Sequence, residues 1–231
     1  MKRIARFVLL SLASSILTLF LGCGPAPQIA EPTPANSPAA TDSATNTAAD
    51  TEPVAAGEKV KFKLDGGDEA FSLKFKADGA KVENADGSEL ARLKTDETKK
   101  VKIKDANEKT LGYVVTKAGY WKLENAEQTE ELYVLRRQDD GDYKLETGAN
   151  QLVYRIKARD YGFEIEAPEK KSLYKVKLKG EKLSLRNSSE KTVLYTKSKF
   201  LPVAIACFGF DPLSREQQAA LAYAVNASGG Q

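Results

Sequence analysis

An internal repeat constrains this chain more than any other feature. Short motifs of alternating apolar and charged residues recur as "KFKL" from Lys61, "KVEN" from Lys81, "KIKD" from Lys102, "KLEN" from Lys122, "KLET" from Lys144, "EIEA" from Glu164 and "SLRN" from Ser184. Their starts lie 20, 21, 20, 22, 20 and 20 residues apart. Each motif runs into a polar turn and then a longer apolar-polar segment, such as "ADGSELARLK", "ANEKTLGYVV" or "SSEKTVLYTK". Phe71, Leu73 and Phe75 share a face of one such segment, as do Leu152, Tyr154 and Ile156 of another. Period-two alternation argues half-buried strands, and the Asp-Gly, Asn and Lys-Gly punctuation argues tight turns. One period is therefore one β-hairpin, and the chain from 59 to 231 reads as a meander of about seven hairpins, some 12 to 14 short strands.

A long antiparallel meander buries its apolar face by closing into a barrel, folding over as a sandwich or stacking as a flat repeat sheet. Closure also removes the exposed edges that invite aggregation. A barrel of roughly twelve strands has a lumen too wide for its own side chains, so something must fill it. The filler is expected in "LPVAIACFGFDPLSREQQAALAYAV", residues 201–225. Phe200 to Phe210 carries no charge in a chain that is 29% charged. Pro202 suits a first helical turn, and Val203 to Phe210 is apolar on all sides, as a buried helix requires. Asp211-Pro212 ends it. Ten helical residues measure about 15 Å, which is too short for a bilayer and suited to crossing a barrel. Ser214 with Gln217 predicts a capping box for a second helix ended by Gly229 and Gly230, with Leu213, Leu221 and Val225 packed on the domain. That helix is either a lid on the barrel mouth or a docking element. The expected class is mainly β: an antiparallel meander closed into a roughly 12-stranded barrel around a buried C-terminal helix, with a second terminal helix. A flat Lys/Glu-rich sheet is the alternative.

The hairpin rhythm with turns as in "VENADGSELARLK", leading to "VAIACFGFD", resembles the tubby-like superfamily of tubby domains, phospholipid scramblases and LURP-one-related proteins. The resemblance covers residues 59–211 and implies a 12-stranded barrel around a hydrophobic C-terminal helix. It also brings anionic lipid into view, because tubby domains bind phosphoinositides through surface Lys and Arg. Seven hairpins are one more than that pattern needs, so the first, 59–76, is either an accessory pair or a different closure.

The N-terminus speaks to location. Lys2, Arg3 and Arg6 precede an apolar stretch, Phe7 to Gly22, of about 16 residues, which is short for a membrane span and fits an export signal. Gly22 before Cys23 resembles the lipobox of bacterial lipoprotein signal peptides, which implies acylation of Cys23 and cleavage of residues 1–22. Phe20 stands where that pattern most often has Leu. Residues 23–58 are rich in Pro, Ala, Thr and Ser with no Lys, Arg or aromatic residue, a composition expected to be a disordered tether. It would set the domain roughly 30–35 Å from the membrane. Gly24 rather than Asp after the cysteine favours the outer membrane in a host that has one. With Cys23 acylated, only Cys207 remains, and its place in the apolar run reads as a buried hydrophobe.

Chemistry is sparse. The chain has no histidine, which removes the commonest general base, the commonest metal ligand and every Ser-His or Cys-His pair. No phosphate-binding Gly-rich loop or cysteine cluster occurs, so no cofactor or metal is implied. "DDGDY" from Asp139 lacks the distal Glu of a calcium loop and reads as a hairpin turn. Glu164 and Glu166 alternate with Phe163 and Ile165 and so face solvent, and no enzyme activity is expected. The best binding candidates are Lys171, Lys175, Lys177 and Lys179, outward on a strand whose Tyr174, Val176 and Leu178 point inward. Glu164 and Glu166 stand across from them as neutralising partners. Beyond the leader, 32 basic residues face 32 acidic ones, which together with export argues against nucleic acid. The reading is a lipid-anchored, non-enzymatic envelope module that contacts anionic lipid or an envelope protein; the alternatives are a flat Lys/Glu-rich repeat-sheet surface lipoprotein and an enzyme with an unconventional carboxylate site.

Overall fold

Each of the seven repeats is a hairpin. The computed structural model describes residues 54–231; the leader, Cys23 and the linker to residue 53 lie outside the described residues. The first hairpin is β1 (Lys59–Lys63) and β2 (Glu69–Lys76), and the second is β3 (Gly79–Asn84) and β4 (Glu89–Thr95). The third is β5 (Lys100–Asp105) and β6 (Thr110–Lys117), and the fourth is β7 (Tyr120–Glu124) and β8 (Glu131–Arg137). Then come β9 (Tyr143–Thr147) with β10 (Leu152–Arg159), β11 (Gly162–Glu166) with β12 (Ser172–Lys179), and β13 (Lys182–Asn187) with β14 (Thr192–Thr196). Every strand pairs antiparallel with its sequence neighbours, and β1 meets β14 at Lys63 and Tyr195 to close a barrel. The wall therefore has fourteen strands rather than roughly twelve. The first hairpin is part of it, and a flat sheet is excluded.

Closure has a local cause repeated seven times. Within each hairpin the register slips beside the connecting turn, for example between Val82 and Glu83, Ile103 and Lys104, and Leu123 and Glu124. Such bulges increase twist and bend the sheet, and here all seven fall at one end of the barrel, called the far end below. The turns there share a pattern. The Gly87 N–H donates to the Asn84 carbonyl at 3.0 Å while the Asn84 N–H donates to the Ser88 carbonyl at 2.9 Å. The fourth turn residue takes positive φ, and in five of the seven it is not glycine: Glu108, Gln128, Asn150, Lys170 and Glu190. A side chain in that conformation costs about 1–2 kcal/mol, of which a glycine's extra unfolded-state entropy offsets part. Lys170→Gly is therefore expected to stabilise the domain by roughly 0.5–1 kcal/mol, read as a rise of about 2 °C in Tm. An unchanged or lower Tm would contradict this.

Chain entry is at the opposite, near end, where the Gly57 N–H donates to the Phe75 carbonyl at 3.0 Å. Adjacent hairpins are laced together along this rim: the Thr95 N–H donates to Asp78, Arg137 to Gly119 and Leu178 to Tyr161.

The lumen holds both helical segments. After β14 the chain enters from the near end as α1 (Pro202–Ala206), tightens into one 3-10 turn over Cys207–Gly209, turns at the far end and returns as α2 (Arg215–Ala227). The expected ten-residue helix is thus five residues plus a 3-10 turn. The second helix is no lid, since Gln218 to Asn226 are all buried. α1 packs on β11, β12 and β13, while α2 packs on β3 to β7. Geometry explains why two are needed. Fourteen strands about 4.8 Å apart give a ring roughly 21 Å across even before tilt widens it, and one helix is only about 10 Å in diameter.

Buried alanines (Ala204, Ala206, Ala219, Ala220, Ala222 and Ala224) keep both segments slim, and Phe62, Phe71, Phe200 and Phe208 pack ring on ring between wall and plug. Several buried polar groups find long-range partners, although Ser72 Oγ and Gln218 Oε1 have none among the described residues. The Leu201 N–H donates to Asn226 Oδ1 at 2.9 Å, Gln218 Nε2 to the Phe210 carbonyl at 3.0 Å and Trp121 Nε1 to Ser228 Oγ at 3.0 Å. Burial pushes the Tyr143 hydroxyl up, and it donates to the Gly230 carbonyl at 2.8 Å. The expected capping box is present, with the Gln217 N–H donating to Ser214 Oγ and the Ser214 N–H to Gln217 Oε1.

Candidate functional surface

With the lumen filled, the outer wall and the two rims are the surfaces open to a partner. Outward positions are mostly Lys, Arg and Glu, joined by ion pairs along β1 to β14. This is the reverse of a membrane-spanning barrel, which needs an apolar outer band. No described helix is long and apolar enough to cross a membrane.

The four lysines read from the sequence do not form one patch. Lys175 and Lys177 both bind Glu190, at 2.8 and 2.7 Å. Glu190 sits in the left-handed position of the next hairpin's turn and reaches back across β13. Lys177 also lies 5.3 Å from the Tyr161 ring centre. Lys171 is exposed in the far-end turn before β12, and Lys179 is exposed at the near end of that strand, so eight residues of extended chain, roughly 27 Å, separate them. Glu164 and Glu166 make their ion pairs with Arg159, at 3.1 and 3.2 Å, and Glu164, directly across from Lys175, acts on it through space. Leu178, expected inside, is 47% exposed at the near end of β12.

The two lysines hold the Glu190 carboxyl down to about 2, from an ordinary 4.5, with the Lys175 hydrogen bond the larger cause. Its contribution to stability is present above the ordinary value and is lost as pH falls from there towards 2. Glu190→Gln should therefore lower Tm slightly at neutral pH and not at all near pH 2; a gap that persists in acid would contradict the pairing.

Two shallow hollows mark the wall. One, of about 250 Å³, is lined by Gln138, Asp140, Asp142, Tyr143, Lys144, Arg155 and Lys157. Burial raises the Asp142 carboxyl, but the Lys157 ammonium and the Ala158 N–H, at 2.8 Å, together hold it below its ordinary value. The carboxylate ties this segment to β10, while the Gln138 N–H, donating to the Asp142 carbonyl at 2.8 Å, closes "DDGDY" as the expected turn between β8 and β9. The other hollow, of about 180 Å³, is lined by Lys76, Asp78, Arg92, Leu93 and Lys94. Among the described residues no group of three or more His, Cys, Asp or Glu side chains is placed to hold a metal.

No protein-family model matches the chain, and none of the curated proteins is similar to it. Among solved structures, the X-ray structure of the Arabidopsis thaliana protein AT5G01750 is similar, with a TM-score of 0.37 and 12% identity, over 68% of this chain and 90% of that one. At that score the likeness decides nothing about ancestry or activity.

Proposed function

We propose that the chain is a bacterial envelope lipoprotein, held to its membrane by acylated Cys23, whose barrel is a non-enzymatic binding or structural module that works through its outer wall. The observation that carries this reading is the filled lumen. Ile205, Cys207 and Leu221 sit at its centre with exposures of 0%, 0% and 1%, so a transported chain or a buried substrate has no room. Burial also pushes the Cys207 thiol well above the ordinary cysteine range, the opposite of what a nucleophile needs. The paired carboxylates Glu164 and Glu166 serve Arg159. Membership of the tubby-like superfamily belongs to the same proposal. The shared plan is a closed antiparallel meander around a C-terminal helix, from which this chain departs by its seventh hairpin and second lumen helix.

The test is fractionation of a bacterium expressing the full chain. The wild type should pellet with membranes and take up labelled fatty acid, and Cys23→Ser should lose the label. Unlabelled wild-type protein would overturn the tether.

A further inference from the structure

We propose that the near-end wall of β2 to β5, around Gly79, docks on the anionic lipid surface beside which the chain is tethered. This deepens the function proposed above and rests on that reading for the tether itself.

Five cations stand directly opposite one another across five strands: Lys59, Lys74, Lys81, Arg92 and Lys104. Like charges in direct cross-strand register are destabilising. Carboxylates one step towards the far end relieve most of the row: Glu83 meets Lys59 and Lys81, Glu89 meets Lys81 and Arg92, and Glu108 meets Lys104 at 2.8 Å as well as Arg92. Lys74 is left without an ion pair among the described residues. One step towards the near end, Lys76, Gly79, Lys94 and Lys102 form the next row, with Lys94 and Lys102 directly opposed. None of these three lysines has a carboxylate within ion-pairing distance among the described residues, and Lys102 is satisfied only by the Tyr113 ring at 5.5 Å.

Lys74, Lys76, Lys94 and Lys102 thus make a contiguous field whose centre lacks a side chain, because it is Gly79. The 180 Å³ hollow opens at that point. The carboxylates near it are Asp78 on its rim, Glu58 beside Phe75, and Asp96 and Glu97 in the next turn, where Lys99 and Lys100 also stand; Glu108, which acts on Lys94 through space, is held by Arg92 and Lys104.

Two further observations select a membrane as the occupant. Gly57, where the chain arrives from its N-terminal side, is bonded to Phe75, between Lys74 and Lys76, so a tether would leave from the edge of this field. The turns of both ends mix carboxylates and lysines, but the strand ends are polarised: Glu69, Glu89, Asp105, Glu124, Glu131 and Glu166 stand at the far end against Lys63 alone, whereas the near strand ends carry Lys and Arg and no carboxylate. A domain charged in this way turns its lysine field, and not its far end, towards an anionic surface.

The experiment uses residues 24–231, which contain everything the structure describes and lack the acylation site. Vesicles of phosphatidylcholine alone are compared with vesicles that also contain phosphatidylglycerol. Binding is expected only to the anionic vesicles, weakening with added salt. The triple variant Lys74→Gln, Lys76→Gln and Lys94→Gln should lose roughly 100-fold in affinity, at about fivefold per lysine. The control Lys170→Gln, Lys171→Gln and Lys191→Gln removes the same charge from far-end turns and should change binding little. Both triples should melt like the wild type, since all six positions are exposed. Equal loss in the two triples, or no preference for anionic vesicles, would overturn the proposal. Cys23-dependent retention of the full chain is read separately, so either idea can fail while the other stands.

Discussion

A chain ending at Lys199 is expected not to fold. The deletion removes α1, the 3-10 turn and α2, and with them Ile205, Phe208, Phe210, Leu213, Leu221, Tyr223 and Val225, all buried in the lumen. Each such side chain contributes roughly 1.5–3 kcal/mol by burial, whereas the net stability of a domain is only about 5–15 kcal/mol. Together the seven lose roughly 10–21 kcal/mol, which matches or exceeds that total even before the exposed inner wall is considered. The fourteen strands cannot collapse to compensate, because their bulges and register set the ring's width. Circular dichroism of the truncated chain should show no cooperative thermal transition. A sharp transition near the wild-type Tm would mean that the helices are peripheral.

Gly79→Ala has the second-largest expected effect, although it adds one methyl group. Gly79 opens β3 at φ 146°, and a Cβ there would lie 2.0 Å from the Leu93 carbonyl oxygen and 2.8 Å from its carbon. Both are backbone atoms of the paired strand β4, which is held on its other side by β5. Relief requires parting two strands, so a loss of roughly 3 kcal/mol is expected, with Tm lower by about 10 °C. Gly87→Ala is the comparison: φ is also positive, at 82°, but the space is open. It should cost about 1 kcal/mol. Equal losses at the two sites would show that strain, not the backbone contact, governs Gly79.

Much of this architecture is legible from periodicity. The 20-residue spacing counts hairpins, alternation assigns faces, and Ser214 with Gln217 marks a helix start. These signals are local. What the sequence hides is long-range. The depth of α2 depends on Gln218 and Asn226, polar residues that look like a solvent face until Phe210 and Leu201 are placed beside them. Strand count and helix count are coupled through the width of the ring, so allowing the seventh hairpin into the wall would have required the second helix in the lumen.

The surface shows the same division. The β12 lysines are conspicuous because they crowd one segment, yet Glu190, a turn residue of another hairpin, takes two of them. The field around Gly79 is spread over Lys74, Lys76, Lys94 and Lys102 in three hairpins. Only the register brings these four together, and only the glycine leaves a hollow among them.

The barrel is sealed and helix-filled, and Cys207 reports on that directly. Its thiol is fully buried and 3.8 Å from the Val203 carbonyl oxygen at the middle of the plug. In residues 24–231 it is the sole cysteine, so the rate of its reaction with a thiol reagent measures access to the lumen. Under native conditions it should react only as fast as the whole domain unfolds, and denaturant should accelerate labelling in step with the loss of β signal. Labelling at the rate of a free thiol, with the domain still folded, would contradict the filled barrel.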